Sequence, residues 1–591
     1  MKVMLLFPPN WNPTMPHLAL PTLTAFLRAH DIDVIQRDLN IEVFDEVLTR
    51  RHIDAALTRL RRDYGRHGER RPARAAVAPH EQIAWAMGRG PQVAAQVERA
   101  KRTLRSEAFF DGPTGRRAIE TVIDALQIAS LPFFPAALEF NTYRPALSGD
   151  STRDIMREAA DPQFNMLREI YQRGIIADIE REQPDVVGIS IPCMAQMVPG
   201  MTLAAMIKER GLACHVTVGG PHITMLRDRL VTSPGIFQII DSAVVFDGEV
   251  PLLQLCEALA AGGDLAHVPN LIYRAGTGVH VTARKKPEKI GGLPLPDFDG
   301  LPLDRYLSPR RVLPLLTARG CYYGKCAFCN VGYGEPESFS LMQAEMLAEQ
   351  MYTLERKYGI EEIFFSDEAL TPRTLRDLSR ILQRDSSTLL WGGCARFERP
   401  ITGELLRQMY AGGCRMILFG LESASEVIMQ HMRKGTQLEH MHRILHESTE
   451  AGIWNHTFFF FGFPGETIED AQQTVNFLYE HKLHVNSAAF GTFLLELDAP
   501  AHRSPSSFGI TRVIEPLEND LAIYFDYETS SGMEPQMIEL LAARFLETLP
   551  KKAFPQFYIN DVYRLLYACH LSRVGRPMPP WLVEETEALA A

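Results

Sequence analysis

The chain of 591 residues lacks any apolar run near the ~20 residues that span a bilayer. The short run in MKVMLLFPPN is cut off by Pro8 and Pro9, and no small-residue cleavage site follows. It reads as a buried first strand, not a signal peptide, in a protein with no membrane span. Cysteine is scarce: there are nine, an odd number, and six (Cys193, Cys214, Cys256, Cys394, Cys414, Cys569) are dispersed. That argues against a disulfide framework and for a reducing, cytoplasmic compartment. Excess positive charge is missing too. A net charge of −11 argues against a nucleic-acid surface. The chain has no G-x-G-x-x-G after its first strand, no G-x-x-x-x-G-K-[ST], no internal repeat and no compact catalytic triad. Nucleotide loops and ordinary nucleophilic catalysis are therefore weak readings.

What the chain has in quantity is alternation of apolar strands with helices. At ~150 residues per domain its length allows about four units. Residues 1–42 read strand, loop, helix, strand: KVMLLF, PPNWNPTMP, HLALPTLTAFLRAH, DVIQRDLN. The pattern resumes at 185 with DVVGISIP, a helix over 198–211, CHVTVGGPH, another helix, IIDSAVVFDGE and a helix over 250–261. Such strands predict an α/β domain over 1–285, its parallel sheet covered on both faces and closed by a hairpin at 270–285. Interrupting it is a helical insertion, about 43–180, with RLRRDYGRHGERRPAR at 59–74. That run is an anion-binding patch or a solvated loop.

Residues 286–307, rich in Pro and Gly, are the predicted linker. Over 308–500, six strands (312–318, 361–367, 389–396, 415–420, 455–462 and 485–493) alternate with helices and predict a partial (β/α)6 barrel. Residues 501–591 read as mostly helical, PQMIELLAARFLETLPKKAF being the clearest stretch.

The remaining three cysteines stand together in TARGCYYGKCAFCNVGYG, residues 317–334. Cys321, Cys326 and Cys329 are spaced C-x-x-x-x-C-x-x-C in a loop after a barrel strand, where reactive groups gather. Structural zinc would need a fourth ligand, and no second C-x-x-C or H-x-x-x-H lies near in sequence. Soft thiolates also suit an iron–sulfur cube, whose four iron corners would leave one open to a small chelating molecule.

The loop resembles that of the radical S-adenosylmethionine (SAM) enzymes, and Phe328 matches the aromatic preferred before the last cysteine. The family's usual pattern has three residues between the first two cysteines; this chain has four. The resemblance runs over 312–495 and implies a [4Fe-4S] cluster on the three cysteines with SAM on its open iron. It implies SAM contacts at Asp367 and Glu368 in FFSDEALT, and at Arg396 in CARFE. Glu422 and Ser423 in LFGLESAS fall at the ribose position, and Gly462 in FFGFPGET beside the adenine. MRKGT is a further familiar string. Tyr322, Tyr323 and Tyr333 flank the cluster as pocket candidates or as loop packing.

In a parallel sheet, ligands sit beyond the carboxyl ends of the strands. Here those ends are PPNWNP, SIPCMAQ, GGPH and DGEVP. They resemble the loops of the Rossmann-like cobalamin-binding domain that precedes the radical domain in a subgroup of the family. The implied contacts are Asn10, Trp11, Ser190, Gln196, Gly219, Gly220, Pro221, His222, Gly248 and Glu249. The chain has no D-x-H-x-x-G, so the resemblance implies a cobalt without protein histidine on that face. His222 is the substitute to consider, set against a local hydrogen-bonding role.

The implied activity is C-methylation of an unactivated carbon, using methylcobalamin and a 5′-deoxyadenosyl radical. Rearrangement or cyclisation without methyl transfer, and a non-catalytic iron–sulfur or cobalamin sensor, are the alternatives. Implied partners are an external electron donor and a substrate left open among peptide, natural-product intermediate and lipid.

Overall fold

Strand β1, Lys2–Phe7, is a run of six residues whose last five are at most 2% exposed. Only a strand sandwiched between layers hides both faces in this way. In the computed structural model, which describes residues 1–65, 79–276, 278–333, 339–548 and 560–581, β1 pairs in parallel with β2 (Asp33–Asp38) on one side and β3 (Val186–Ser190) on the other. The sheet continues through β4 (His215–Gly219) and β5 (Ser242–Val244), also parallel. The antiparallel hairpin β6 (Leu271–Ala275) and β7 (Gly278–Val281) closes it. Its order is β2-β1-β3-β4-β5-β6-β7. The chain leaves β1 for β2 and then returns to β1's other side. The strand order thus switches between β1 and β3, which opens a crevice at their carboxyl ends.

The chain divides into two compact units, the first made of residues 1–288, 293–309 and 516–522. Its insertion is helical as expected, with seven α-helices among the described residues, from Leu39–Val47 to Ile175–Glu182, and a two-residue strand pair, 137–138 with 143–144. Asp38 caps the first of these helices, accepting from Asn40 N and Ile41 N. Of the arginine-rich run, residues 66–78 lie outside the described residues. The proline-rich 293–309 is held along the first unit. Arg28 Nη1 meets Asp297 at 2.6 Å, Gln36 Nε2 donates to Asp297 O, and the Tyr306 hydroxyl donates to Asp38 at 2.5 Å.

The second unit comprises 289–292, 310–515 and 523–591. Its sheet is β8 (Val312–Leu315), β9 (Glu362–Phe365), β10 (Leu390–Ala395), β11 (Cys414–Glu422), β12 (Trp454–Phe461) and β13 (Ser487–Thr492), all parallel and in sequence order. Helices between successive strands give the expected run of βα units. Thr467 and Asp470 form a reciprocal capping box on helix Ile468–Glu480.

Among the described residues the region after 500 is mostly helical, as expected, and adds a small sheet that the sequence reading did not include. Strands 510–514 and 524–529 form an antiparallel sheet with 495–496, ahead of helices Pro535–Thr548 and Asp561–Val574. β-Branched and aromatic residues in ITRVI and YFDYET carry a strand signal that the helical reading passed over. Helix Asp561–Val574 is buried along most of its length and is tied to the start of β9 by Arg573 Nη1 on Glu362 at 2.6 Å. Among the described residues, no helix is long and apolar enough to cross a membrane.

Candidate functional site

The cysteine loop begins where β8 ends. Thr317 N, Thr317 Oγ1 and Ala318 N all donate to the Asp367 carboxylate, at 2.7–3.1 Å. Asp367 is buried, and desolvation pushes its carboxyl up to about 6 against these bonds. Both of its oxygens are thus engaged in fixing the loop. Glu368, the next residue, exposes its side chain, yet the protein around it still raises its carboxyl.

Cys321, Cys326 and Cys329 are free and half-buried. Burial raises the Cys326 thiol, against the lowering influence of Lys434 and Arg396. Cys329 is pushed up to about 12 by burial, with Glu368 and Glu496 adding to the rise. Glu496, two residues before the turn Asp498, accepts from the Asn330 backbone and is raised to about 7 by burial, with Glu368 contributing. Its proximity to Glu368 was not legible from a position 128 residues away.

Arg396, at the end of β10, gathers the loop. Its Nη1 donates to Cys326 Sγ at 3.8 Å, its Nε to Glu398 at 3.0 Å, and its Nη2 to Lys434 O. The guanidinium lies 3.7 Å from the centroid of the Tyr323 ring, and the Tyr323 hydroxyl donates to Arg433 O at 2.6 Å. Tyr323 therefore packs the loop. Tyr322 interacts with Glu398 and meets Phe339 edge-on, while Tyr333 is half-buried with a positive φ of 56°. Phe328 packs edge-to-face on Phe460 and lies 5.8 Å from Lys434 Nζ.

Lys434 is the residue sequence reasoning missed, although it stands in the MRKGT string. It is buried, and its Nζ donates to Glu422 Oε1 at 2.7 Å. Glu422 has a positive φ of 61° beside an irregularity in the β11 ladder. Ser423 is fully buried, 3.2 Å from Thr474 Oγ1, and accepts from Ser425 N. Gly462 adopts a φ of +89°, its N–H donates to Glu466, and its carbonyl accepts from Tyr527. Glu466 is fully buried with Oε1 unpartnered, and burial pushes it up to about 7.

In the first unit, the loops after β1 and β3 meet at the switch point through Gln196 Nε2, which donates to Pro8 O at 2.6 Å. Gln196, Asn10, His222 and Glu249 are buried and Ser190 nearly so, whereas Trp11, Gly219, Gly220 and Gly248 are half-exposed and Pro221 is exposed. The Trp11 backbone N–H donates to Asn40 Oδ1 and its carbonyl accepts from Asn40 Nδ2, while its ring meets His17 edge-on at 5.1 Å. Gly220, at φ +112°, has no room for a Cβ against Ile191 O. Two buried polar atoms in these loops have no partner: Asn10 Oδ1 and His222 Nε2. Burial holds His222 down at about 4.

Residues 315–478 match the family model of the Radical SAM superfamily, which makes this part of the second unit a Radical SAM domain. Relatives extend the likeness beyond it. The chain is 26% identical over 429 residues, 71% of its length and 89% of the relative's, to an uncharacterized methyltransferase of Pyrococcus horikoshii. It is 23% identical over 321 residues to the anaerobic magnesium-protoporphyrin IX monomethyl ester cyclase of Rubrivivax gelatinosus, covering 52% of this chain and 56% of that enzyme.

Among solved structures, it shares the fold of the radical SAM methyltransferase TsrM of Kitasatospora setae, solved with tryptophan substrate and a SAM analogue. That alignment has a TM-score of 0.58 and 15% identity over 97% of this chain and 96% of TsrM. The cobalamin-dependent radical enzyme OxsB, solved with aqua-cobalamin and SAM, aligns at a TM-score of 0.51 and 16% identity over 73% of each chain. At these identities the likeness to the two structures is one of fold.

Proposed function

We propose that the protein is a cobalamin-dependent radical SAM enzyme that transfers a methyl group to an unactivated carbon. The observation that carries this reading is the Arg396 guanidinium at 3.8 Å from Cys326 Sγ, in a loop of three free, half-buried thiols. Three soft donors with a cation against one of them fit an iron–sulfur cluster that keeps one iron without a protein ligand. Cys321, Cys326 and Cys329 would hold it. The Radical SAM domain, the methyltransferase relative and the fold shared with TsrM and OxsB support the same reading.

When bound, the cluster with SAM supplies one-electron sulfonium cleavage, and cobalamin supplies a methyl carrier. The chain's own residues bind and orient. Glu368 and Glu496 offer carboxylates beside Cys329, suited to receive an ammonium group. Glu422, held by Lys434, presents an acceptor for sugar hydroxyls, while Asp367, Ser423 and Arg396 position the loops. In the first unit the unpartnered Asn10 Oδ1 and His222 Nε2 fit a ligand-bearing crevice. Trp11, Gly219, Gly220, Pro221 and Gly248 are the accessible members to line it.

The test is anaerobic incubation of reconstituted, cobalamin-loaded protein with SAM, reductant and candidate peptides, natural-product intermediates and lipids. Methyl transfer produces 5′-deoxyadenosine, S-adenosylhomocysteine and a product heavier by one methylene unit. Serine at the three cysteines abolishes all of them. The cyclase relative favours a second reading, radical rearrangement or ring closure without methyl gain. Deoxyadenosine with no added methylene would select it. If neither coproduct formed under any condition, a sensor role would replace both.

A further inference from the structure

Outside the cysteine loop, the second unit gathers histidines at one place. His442 and His446 stand four residues apart on helix Leu438–Ala451, a spacing that puts both on one face. His481 and His484 follow the end of helix Ile468–Glu480. The two elements meet through these rings. His442 Nδ1 is 2.5 Å from His481 Nε2, the His446 and His484 rings are 5.0 Å apart, and those of His481 and His484 are 6.0 Å apart. Phe477 packs on both His442 and His481, at 4.8 and 4.5 Å, and walls the group on its apolar side. Glu480 Oε1 lies 4.0 Å from His442 Nδ1. One ligand atom from each of His442, Glu480 and His481 falls within 4.8 Å of the other two.

His442 Nδ1 and His481 Nε2 face each other at hydrogen-bonding distance, 2.5 Å. His481 is only 7% exposed and its other ring nitrogen has no partner. A cation would satisfy both facing lone pairs at once. Bonds of about 2.0–2.1 Å to two imidazoles in tetrahedral array need the nitrogens roughly 3.4 Å apart. A small turn of the half-exposed His442 ring supplies that opening. Glu480, with an exposed side chain, can swing in as the third ligand. Imidazole with carboxylate selects borderline transition metals over magnesium or calcium.

We propose that His442, Glu480 and His481 bind a divalent transition-metal cation of the zinc class, with His446 and His484 beside them as further donors, and that it clamps these two helices together. The site shares no residue with the cysteine loop.

The experiment uses the full chain with its cluster reconstituted, so that the thiols are occupied, and Zn2+ as the probe. X-ray absorption should give one zinc per chain with a nitrogen/oxygen shell at about 2.0–2.1 Å, and zinc should raise the Tm. His442→Gln with His481→Gln should weaken zinc binding at least about tenfold and remove the Tm rise. Glu480→Gln, on an exposed side chain, should weaken zinc while leaving the zinc-free Tm unchanged, which keeps the test decisive if the double variant fails to fold. No zinc uptake, a thiolate shell at about 2.3 Å, or unaltered binding by the Glu480→Gln variant would overturn the proposal.

Discussion

Arg396 Nη1 sits 3.8 Å from Cys326 Sγ while its Nη2 holds Lys434 O, so one guanidinium ties the end of β10 to the cysteine loop and to the segment after β11. Lysine cannot reproduce this fork, because it is a point charge without fixed donor directions. Arg396→Lys should cost about 2 kcal/mol of stability through the lost bonds to Cys326 and Lys434 O and the loosened Glu398 pair. It should also shift the potential of a bound cluster to more negative values, since a sulfur loses its N–H donor. Denaturant titration and redox titration check the two parts.

Lys434 and Glu422 are both largely buried, and their ion pair spans 2.7 Å. Lys434→Met leaves a carboxylate without its cation and should destabilise by about 3 kcal/mol. Glu422→Gln in the same chain should recover roughly half of that loss. A double-mutant cycle measured by chemical denaturation gives the coupling, and additive single effects would contradict it.

Glu466 is pushed from its ordinary value near 4.5 up to about 7 by burial. In the unfolded chain it ionises at the lower value, so between these limits the folded state holds the extra proton. Its contribution to stability is therefore present below about pH 4.5 and is lost as pH rises to about 7. Glu466→Gln keeps the shape without the charge. It should be more stable than the parent at pH 7.5 by about 3 kcal/mol, with no gain at pH 4.5. Thermal unfolding across that range checks the sign.

Gly435 has a φ of +70°, and a Cβ there would come within 2.3 Å of the Tyr323 hydroxyl oxygen. Gly435→Ala should cost about 2 kcal/mol from left-handed strain and displacement of Tyr323. Because Tyr323 underlies Arg396, iron retention after reconstitution should fall with it. Tyr323→Ala in the same background removes the clash, so the double variant should lose less stability than the sum of the two single effects. The measurements are Tm and iron per chain.

By itself the sequence determined the two β/α series, the parallel first sheet, the six-strand partial barrel and the three-cysteine loop. These are local signals: period, apolar continuity, turn residues and spacing within one short stretch. The mostly helical reading of the region after 500 holds, but it missed the small sheet of ITRVI and YFDYET, where alternation is short and set among loops. Tertiary structure alone decided how the acids divide their work. Asp367 and Glu368 are adjacent in sequence, yet one is bound into the loop by Thr317 and Ala318 and the other is exposed beside Cys329. It alone brought Lys434 to Glu422, Glu496 to Asn330 and His442 to His481. Those pairings depend on which strand ends and helices the fold sets side by side, and on how deeply it buries them. Neither quantity is written in the spacing of residues along the chain.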